Sequence, residues 1–327
     1  DDGDRFGTAV AGAGDVNDDG FADVVIGANL HANGAFESHD GKAYVYSGAD
    51  GSLVYAFTSP GTTNGRYAFA VDGAGDVNND GFADVIVGGW EDDTGGAEKG
   101  RADIYSGADG SILYSFLGEA AGDRFGRSVA GLGDVNGDGF DDVAVGSGEW
   151  PTPTSGKAYV YSGQTGALLW SKTDETPGDG LGLAVASAGD WNGDGRPDVL
   201  VGAPLRDGPA GADSGKAYVY SGPNGALLDT IDGKAAGDRL GASLAGLGDV
   251  DGDGNSDVIV AAPFHDGTAG SDSGKAFVYG APLAPPPVCG TLVSLGEGPD
   301  TRPGAAAGLA VLLAPMLAVF ALRRRFR

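Results

Sequence analysis

The chain has 327 residues, of which 46 are acidic and 20 basic, and its formal charge is −26. This excess of acid disfavours an anionic membrane surface or an acidic ligand as a partner of the main body, and we expect no nucleic-acid partner. Its 62 glycines predict many tight turns between short strands, while a single cysteine excludes an intramolecular disulfide framework and three histidines leave little material for a zinc site.

A nine-residue acidic pattern, Asp-x-Asn/Asp-x-Asp-Gly-x-x-Asp, recurs five times. It begins at Asp15, Asp76, Asp134, Asp190 and Asp249, so the spacings are 61, 58, 56 and 59 residues. A period of this size indicates stacked supersecondary units. The predicted repeat body covers residues 1–280. Its repeats span about residues 1–58, 59–117, 118–171, 172–231 and 232–280.

Each of the first four repeats predicts four strands in the same order, and the fifth predicts the first three. In the first repeat, a small-residue strand (8–12) precedes the acidic loop and a β-branched apolar run (24–28) follows it. An alternating strand (42–47) and, after an Asp-Gly turn, a fourth strand (53–57) complete the unit. Four antiparallel strands per repeat predict an all-β fold, a β-propeller in which the small-residue strand is innermost. Separate β-sandwich modules are the alternative, disfavoured because one small sheet cannot bury both of its faces.

The acidic pattern has the ligand spacing of a calcium loop. Positions 1, 3 and 5 turn oxygen atoms toward a common centre, Gly at position 6 permits the sharp turn, position 7 adds a backbone carbonyl and position 9 a further carboxylate. An EF-hand would need Glu at position 12, where apolar residues of the next strand stand instead. A metal-free Asp-Gly hairpin is the alternative, disfavoured by five copies in register.

We therefore expect about five structural Ca²⁺ ions, each bracing the hairpin between the first two strands of a repeat. Position 8, which is Asp141 in the third loop, is not a predicted ligand. The predicted ligands are Asp15, Asn17, Asp19, Phe21 and Asp23; Asp76, Asn78, Asp80, Phe82 and Asp84; Asp134, Asn136, Asp138, Phe140 and Asp142; Asp190, Asn192, Asp194, Arg196 and Asp198; and Asp249, Asp251, Asp253, Asn255 and Asp257.

The segment between the second and third strands is the variable part of each repeat. Antiparallel alternation places these segments on the rim opposite the acidic loops, where rigid scaffolds carry ligand-binding residues. Trp90 and Trp150 lie there and predict contact with a protein or glycan ligand, with loop packing as the alternative. We recognise no nucleophile, phosphate-binding or zinc motif, so no catalytic residue is predicted. An exported enzyme of carbohydrate or phosphoester chemistry and a passive spacer are the alternative functions.

The composition changes after residue 280. Residues 281–304 form a Pro- and Gly-rich linker, and residues 305–322 are uncharged and long enough for a minimal transmembrane helix. Residues 323–327 include four arginines, which predicts a cytoplasmic C-terminus. We therefore expect an exported, membrane-anchored protein with its body on the cell surface or periplasmic side. A buried terminal helix is the alternative.

The repeats resemble the FG-GAP repeat family, which builds the N-terminal β-propeller of integrin alpha subunits. Phe6-Gly7 matches the FG element, Gly202-Ala203-Pro204 matches the GAP element, and the acidic loops match the family's calcium motif. The resemblance implies a seven-bladed propeller, so that blades upstream of the five visible ones are expected. It also implies a calcium-binding, surface-anchored binding or adhesion module. The tail is similar to the C-terminal sorting tags of bacterial exported proteins, in which Cys289 would be a processing or attachment point.

Overall fold

The computed structural model describes residues 3–32, 39–61, 65–148, 156–266, 272–281 and 294–295. The chain divides into two compact units, Asp1–Val293 and Ser294–Arg327. The second unit contributes one described element, the two-residue strand Ser294–Leu295. The predicted transmembrane helix and arginine cluster lie outside these ranges, and within them no helix has the length and apolar character needed to span a membrane.

Each of the first four repeats forms one antiparallel sheet whose four strands follow chain order, as the sequence predicts, and the fifth begins in the same order. The first strands are β1 (Phe6–Gly14), β5 (Ala70–Gly75), β9 (Ser128–Gly133), β13 (Ala184–Gly189) and β17 (Ser243–Gly248). The second strands are β2 (Asp23–Ala28), β6 (Asp84–Gly89), β10 (Asp142–Ser147), β14 (Asp198–Ala203) and β18 (Asp257–Ala262). The third strands are β3 (Lys42–Tyr46), β7 (Arg101–Tyr105), β11 (Lys157–Tyr161), β15 (Lys216–Tyr220) and β19 (Lys275–Tyr279). The fourth strands are β4 (Leu53–Thr58), β8 (Ile112–Leu117), β12 (Leu168–Thr173) and β16 (Leu227–Asp232).

The first strand of each repeat faces a shared axis. β1 packs on β5, β5 on β9, β9 on β13 and β13 on β17. All five strands line one cavity of about 600 Å³. The close approach explains their small residues, because a Cβ atom added to Gly131 would lie 2.1 Å from the carbonyl oxygen of Gly73 in the preceding repeat. The small-residue strand is therefore innermost, as expected for propeller blades.

The second strands form the centre of each blade. Every residue of β6, β10 and β14 is buried. Neighbouring sheets cover both faces of these strands, which explains their continuous apolar runs. The core clusters accordingly join consecutive repeats, as where Leu132 and Trp170 of the third repeat pack with Val201 and Tyr218 of the fourth. Burying each such side chain contributes about 1.5–3 kcal/mol to stability.

The glycine of the aromatic-glycine (FG) element in one repeat packs against the glycine of the glycine-alanine (GAP) element in the preceding repeat. The contact is between the two backbones. A Cβ atom on Gly202 would lie 2.0 Å from the carbonyl oxygen of Gly241, and one on Gly146 would lie 1.9 Å from that of Gly182. The aromatic residue before the glycine fills the space beside this contact. Phe125 is 1% exposed and packs edge-on against Tyr159 at 5.3 Å between ring centroids. The two elements together therefore form the close contact between neighbouring blades.

The second repeat replaces part of its apolar core with a buried polar network centred on Asp103. Arg101 Nε donates to Asp103 Oδ2 at 2.9 Å and Arg101 Nη2 donates to Oδ1 at 3.0 Å. Tyr67 Oη donates to Asp103 Oδ2 at 2.7 Å, and Ser115 Oγ donates to Oδ1 at 2.5 Å. Tyr67 and Asp103 are 0% exposed. Every oxygen of this buried carboxylate is therefore satisfied, which is the condition for tolerating a charge in a core.

Asp72 is an acidic residue on an innermost strand, at a register position where the other repeats have alanine. Those alanines are Ala11, Ala130, Ala186 and Ala245. Asp72 lines the axial cavity, and its Oδ2 accepts a hydrogen bond from the Gly131 N–H at 3.1 Å. Burial raises the pKa of Asp72 to about 6, and the backbone hydrogen bonds from Gly131 and Gly73 act in the opposite direction.

We expect Asp72→Ala to stabilise the protein at pH 7 by about 1–3 kcal/mol, because each unit of pKa shift corresponds to about 1.4 kcal/mol. A carboxyl whose pKa is raised by folding contributes most stability below the unfolded pKa of about 4 and loses it as the pH rises through about 6. Urea unfolding of wild type, Asp72→Ala and Asp72→Asn at pH 4 and pH 7 measures this. Asp72→Asn keeps the shape and should share the gain. Lower stability of both variants at pH 7 would contradict it.

Candidate calcium loops and the opposite rim

All five acidic loops fold in the same way and are held by their own backbone amides. In the first loop the Asp15 carboxylate accepts hydrogen bonds from the N–H groups of Asp19 (3.1 Å) and Gly20 (2.8 Å). The Asn17 side-chain oxygen accepts from Asp19 N–H at 2.9 Å, and Asp19 Oδ1 accepts from Phe21 N–H at 2.9 Å. Gly20 has φ +89°. The loop therefore makes the turn that the spacing predicts.

The Asp at position 9 starts the second strand and is 0–1% exposed in every repeat. Asp84 Oδ2 accepts from Val77 N–H and Asp84 Oδ1 from Gly107 N–H, both at 2.9 Å. The carboxylate thus ties the acidic loop to the turn between the third and fourth strands. Burial raises the pKa of Asp84 to about 7 and those of Asp142 and Asp198 to about 6, while the backbone hydrogen bonds lower them. A nearby cation would favour the ionised form of each.

Three carboxylates converge in the fifth loop. One oxygen from each of Asp249, Asp251 and Asp257 lies within 4.8 Å of the others. This spacing suits a shared Ca²⁺, whose oxygen ligands lie at about 2.3–2.6 Å. The buried Oδ1 of Asp257 has no hydrogen-bond partner among the described residues, a condition that costs free energy and that a cation would relieve. The donor set therefore fits calcium, with these three residues as side-chain ligands. Asp253, whose Oδ1 accepts the Asn255 N–H at 2.8 Å, lies outside this group, and its role and that of the Asn255 carbonyl as ligands stay predictions.

The other four loops have asparagine at position 3, and none of them brings three acidic side chains together within the described ranges, although their positions 1, 5 and 9 are aspartates too. Asn78 Nδ2 donates to Asp80 Oδ2 at 2.8 Å, and Asn136 Nδ2 donates to Asp138 Oδ2 at 2.9 Å. In these two loops the side chains at positions 3 and 5 are hydrogen-bonded to each other. The structure thus brings together the predicted ligands of the fifth loop most closely, and a total of five ions stays a prediction.

Acidic loops of consecutive repeats are linked to one another. In the second, third and fifth repeats the N–H of position 8 donates to the carbonyl oxygen of position 1 in the preceding loop, as from Ala83 to Asp15 (3.0 Å) and from Asp141 to Asp76 (3.2 Å). The fourth loop has Pro197 at position 8, which carries no N–H, so the third and fourth loops lack this bond. Asp141 Oδ2 also accepts a hydrogen bond from Asp76 N–H at 2.9 Å. Residues at position 8 therefore form hydrogen bonds between neighbouring blades, a role that the sequence pattern did not reveal.

We expect Asp251→Asn to weaken calcium binding at the fifth loop by about tenfold, because ligand charge tunes the affinity of such loops. The asparagine oxygen can still accept the Asp253 N–H that Asp251 accepts at 3.0 Å, so the fold should be retained. An NMR titration that follows the Gly254 amide measures the change, with Asp229→Asn as a control outside the loops. Equal affinity of Asp251→Asn and wild type would mean that Asp251 is not a ligand.

The rim opposite the acidic loops carries Trp90, which the sequence put forward as a ligand contact. Its ring is 7% exposed and has three arginines over it: Arg124 at 4.8 Å, Arg66 at 5.4 Å and Arg127 at 5.4 Å. Phe69 packs edge-on against the same ring at 5.8 Å. This favours the packing interpretation for Trp90, whose ring positions arginine side chains on the rim. Trp150 lies outside the described residues.

A cavity of about 410 Å³ lies on this rim across the third, fourth and fifth repeats. Its lining residues are Arg127, Leu183, Pro204, Arg239, Ala242 and Phe264. Three of them directly follow the glycine of the aromatic-glycine element or its counterpart, and Phe264 is 42% exposed. The Arg239 guanidinium lies 4.7 Å from the Phe264 ring centroid, and Arg239 Nη2 lies 3.5 Å from Asp213 Oδ2. This cavity could not be recognised from the sequence, because its residues come from three repeats.

Comparisons with known proteins agree with the repeat pattern. A family model described as "FG-GAP repeat" matches residues 6–46 and 240–279, and one described as "FG-GAP-like repeat" matches residues 134–201. The chain is 29% identical to integrin alpha-4 of Xenopus laevis over 52% of this chain, and 34% identical to integrin alpha-6 of Gallus gallus over 46%. It is 31% identical to integrin alpha-8 of Gallus gallus over 68%. These alignments cover 18%, 14% and 22% of the respective relatives, so the chain spans less than a quarter of their length.

Proposed function

We propose that this FG-GAP repeat protein, distantly similar to the N-terminal propeller of integrin alpha subunits, is a calcium-braced binding module that recognises its ligand through the rim opposite the acidic loops. The observation that carries the proposal is the difference between the two rims. One rim repeats the same acidic loop five times, with the same hydrogen bonds. The other rim is built from unlike side chains around a cavity of about 410 Å³.

Because the acidic loop is repeated in every blade, we assign it to the stability of each blade. The acidic loops tie the first strand, the second strand and the next turn of each blade together, as Asp84 does in the second repeat. Bound Ca²⁺ would supply positive charge at these loops and brace them. A feature that differs from blade to blade can distinguish one ligand from another, and concave apolar sites with a few polar groups are the usual ligand sites.

The proposal includes display outside the cytoplasm on a membrane anchor. It is supported by the apolar run at residues 305–322 and the four arginines that follow. In this location the module would serve adhesion to a protein or glycan on another surface.

Ligand selection on the whole chain tests the function. The protein, saturated with calcium, is screened against immobilised peptide and glycan arrays, and each binder is mapped by hydrogen exchange. We expect protection at residues 204–206, 239–242 and 264–266 and none at the acidic loops. Protection confined to the acidic rim would overturn the assignment of the recognition rim, and turnover of an arrayed glycan or of a phosphoester panel would favour an enzyme.

A matched pair of variants sharpens the test, because the two rims each expose a phenylalanine. Phe264 is 42% exposed beside the cavity, and Phe21 is 59% exposed on the first acidic loop. We expect Phe264→Ser to weaken binding at least tenfold and Phe21→Ser to leave it unchanged. The reverse order would place recognition on the calcium side.

A further inference from the structure

The cavity on the recognition rim has an unusual combination of walls. Four of its six lining residues are apolar, Leu183, Pro204, Ala242 and Phe264, and the other two are arginines. The chain as a whole carries a charge of −26, so two guanidinium groups in one cavity are contrary to its average composition. The cavity therefore offers an apolar surface and positive charge, and no acidic residue lines it.

The first of the two guanidinium groups in the cavity belongs to Arg127 of the third repeat. Arg127 follows the glycine of the aromatic-glycine element, where the other repeats have Thr8, Phe69, Leu183 and Ala242. Its guanidinium lies 5.7 Å from the Phe69 ring centroid and 5.4 Å from that of Trp90. Two aromatic rings of the second repeat thus hold Arg127 in place at the cavity wall.

The second guanidinium comes from the fifth repeat. Arg239 precedes the Leu240-Gly241 pair and has φ +55°, so the backbone turn there directs the residue onto the rim. The Phe264 ring at 4.7 Å and Asp213 at 3.5 Å orient its side chain. The Arg239 side chain is 26% exposed, so a ligand carboxylate can approach its guanidinium from solvent. A guanidinium carries five N–H donors in a planar fork that matches a carboxylate.

We propose that this cavity binds a peptide segment that presents a carboxylate next to an apolar side chain. The carboxylate contacts Arg127 and Arg239, and the apolar side chain packs against Leu183, Pro204 and Phe264. A sugar ring fits less well, because within this lining its hydroxyl groups find hydrogen-bond donors only on the two arginines, and an unpaired buried hydroxyl costs free energy. This inference rests on the proposed function and names the class of ligand for the same rim.

Small probes of defined charge test the inference on the whole chain. N-acetyl-Leu-Phe with a free C-terminal carboxylate is compared with its C-terminal amide, and N-acetyl-Leu-Asp-Phe-amide tests a side-chain carboxylate. The methyl glycoside of glucuronic acid is the sugar arm. We expect each carboxylate peptide to bind at least tenfold more tightly than the neutral amide in NMR titrations, and the sugar acid to bind no more tightly than the amide.

Arginine variants test which guanidinium groups bind the carboxylate of the peptide. Arg127→Gln and Arg239→Gln should each weaken binding of the carboxylate peptides at least tenfold. The control is Arg5→Gln, because Arg5 has the same place in the first repeat and nearly the same backbone, with φ +54°, but does not line the cavity. Arg5→Gln should leave binding unchanged, and melting curves of all three variants check that the fold is kept.

The outcomes separate this inference from the proposed function. Equal binding of acid and amide, equal effects of the three arginine variants, or no binding of any peptide probe would overturn the peptide-carboxylate inference. Tighter binding of the sugar acid would assign the cavity to an acidic glycan instead. In each of these cases the array screen and the Phe264→Ser variant still decide whether the rim is a recognition surface.

Discussion

Asp103→Asn is expected to destabilise the propeller unit by about 3–5 kcal/mol, the range for removing one partner of a buried ion pair. The change leaves the Arg101 guanidinium, which is 5% exposed, with only the more distant Asp92 carboxylate, 3.8 Å from Nη1, and disturbs the hydrogen bonds from Tyr67 and Ser115. Urea unfolding followed by tryptophan fluorescence measures the loss. A change of less than about 1 kcal/mol would mean that solvent reaches this network.

The chain contains a matched control for this experiment, because the third repeat solves the same packing problem with Phe125, Lys157 and Tyr159. We expect the triple variant Tyr67→Phe, Arg101→Lys, Asp103→Tyr to be far more stable than Asp103→Asn. The triple variant removes the buried carboxylate together with the guanidinium and the phenol that donate to it, whereas removing one partner alone is the costly case. If the triple variant is as unstable as the single one, the second blade requires its own network and cannot use its neighbour's core.

Removing calcium is expected to lower the melting temperature of the whole protein by about 10 °C or more. A ligand present at 100 times its dissociation constant stabilises the folded state by about 2.7 kcal/mol per site, and about 1 kcal/mol shifts the midpoint by about 2–4 °C in a domain of this size. Thermal unfolding in excess chelator, and again after calcium is restored, measures the effect. Unchanged melting, together with purified protein that contains no metal, would contradict the calcium assignment.

Much of the fold could be predicted because the sequence repeats itself. Strand order, the innermost position of the small-residue strand and the turn of the acidic loop all follow from local chemistry that occurs five times, such as Gly20 at position 6. Features within single repeats were harder to predict. Asp72 among alanines signals a local departure from the pattern, but its burial and raised pKa follow only from packing beside Gly131.

The cavity on the rim opposite the acidic loops could not be identified from the sequence, because its residues are distant along the chain. Arg127 and Arg239 belong to different repeats, and only the arrangement of blades brings them to one cavity. Trp90 was a reasonable candidate for ligand contact, since it lies in a variable segment. Its burial under three arginines could not be predicted, since Arg66, Arg124 and Arg127 reach it from the starts of two other strands. The departure of Arg127 from the apolar and small residues at its repeat position was the available signal.

Hydrogen bonds join the first three acidic loops into one run of nearest neighbours and the fourth and fifth loops into another, because Pro197 at position 8 of the fourth loop has no N–H to donate. Because Ala83 donates to Asp15, Asp141 to Asp76 and Ser256 to Asp190, a loop that becomes ordered restrains the position 1 residue of the loop before it. Such one-dimensional coupling lets order spread from blade to blade without a change in the inner strands. Filling of the loops by metal would then be positively cooperative within each run, with each occupied blade lowering the entropic cost of ordering the next.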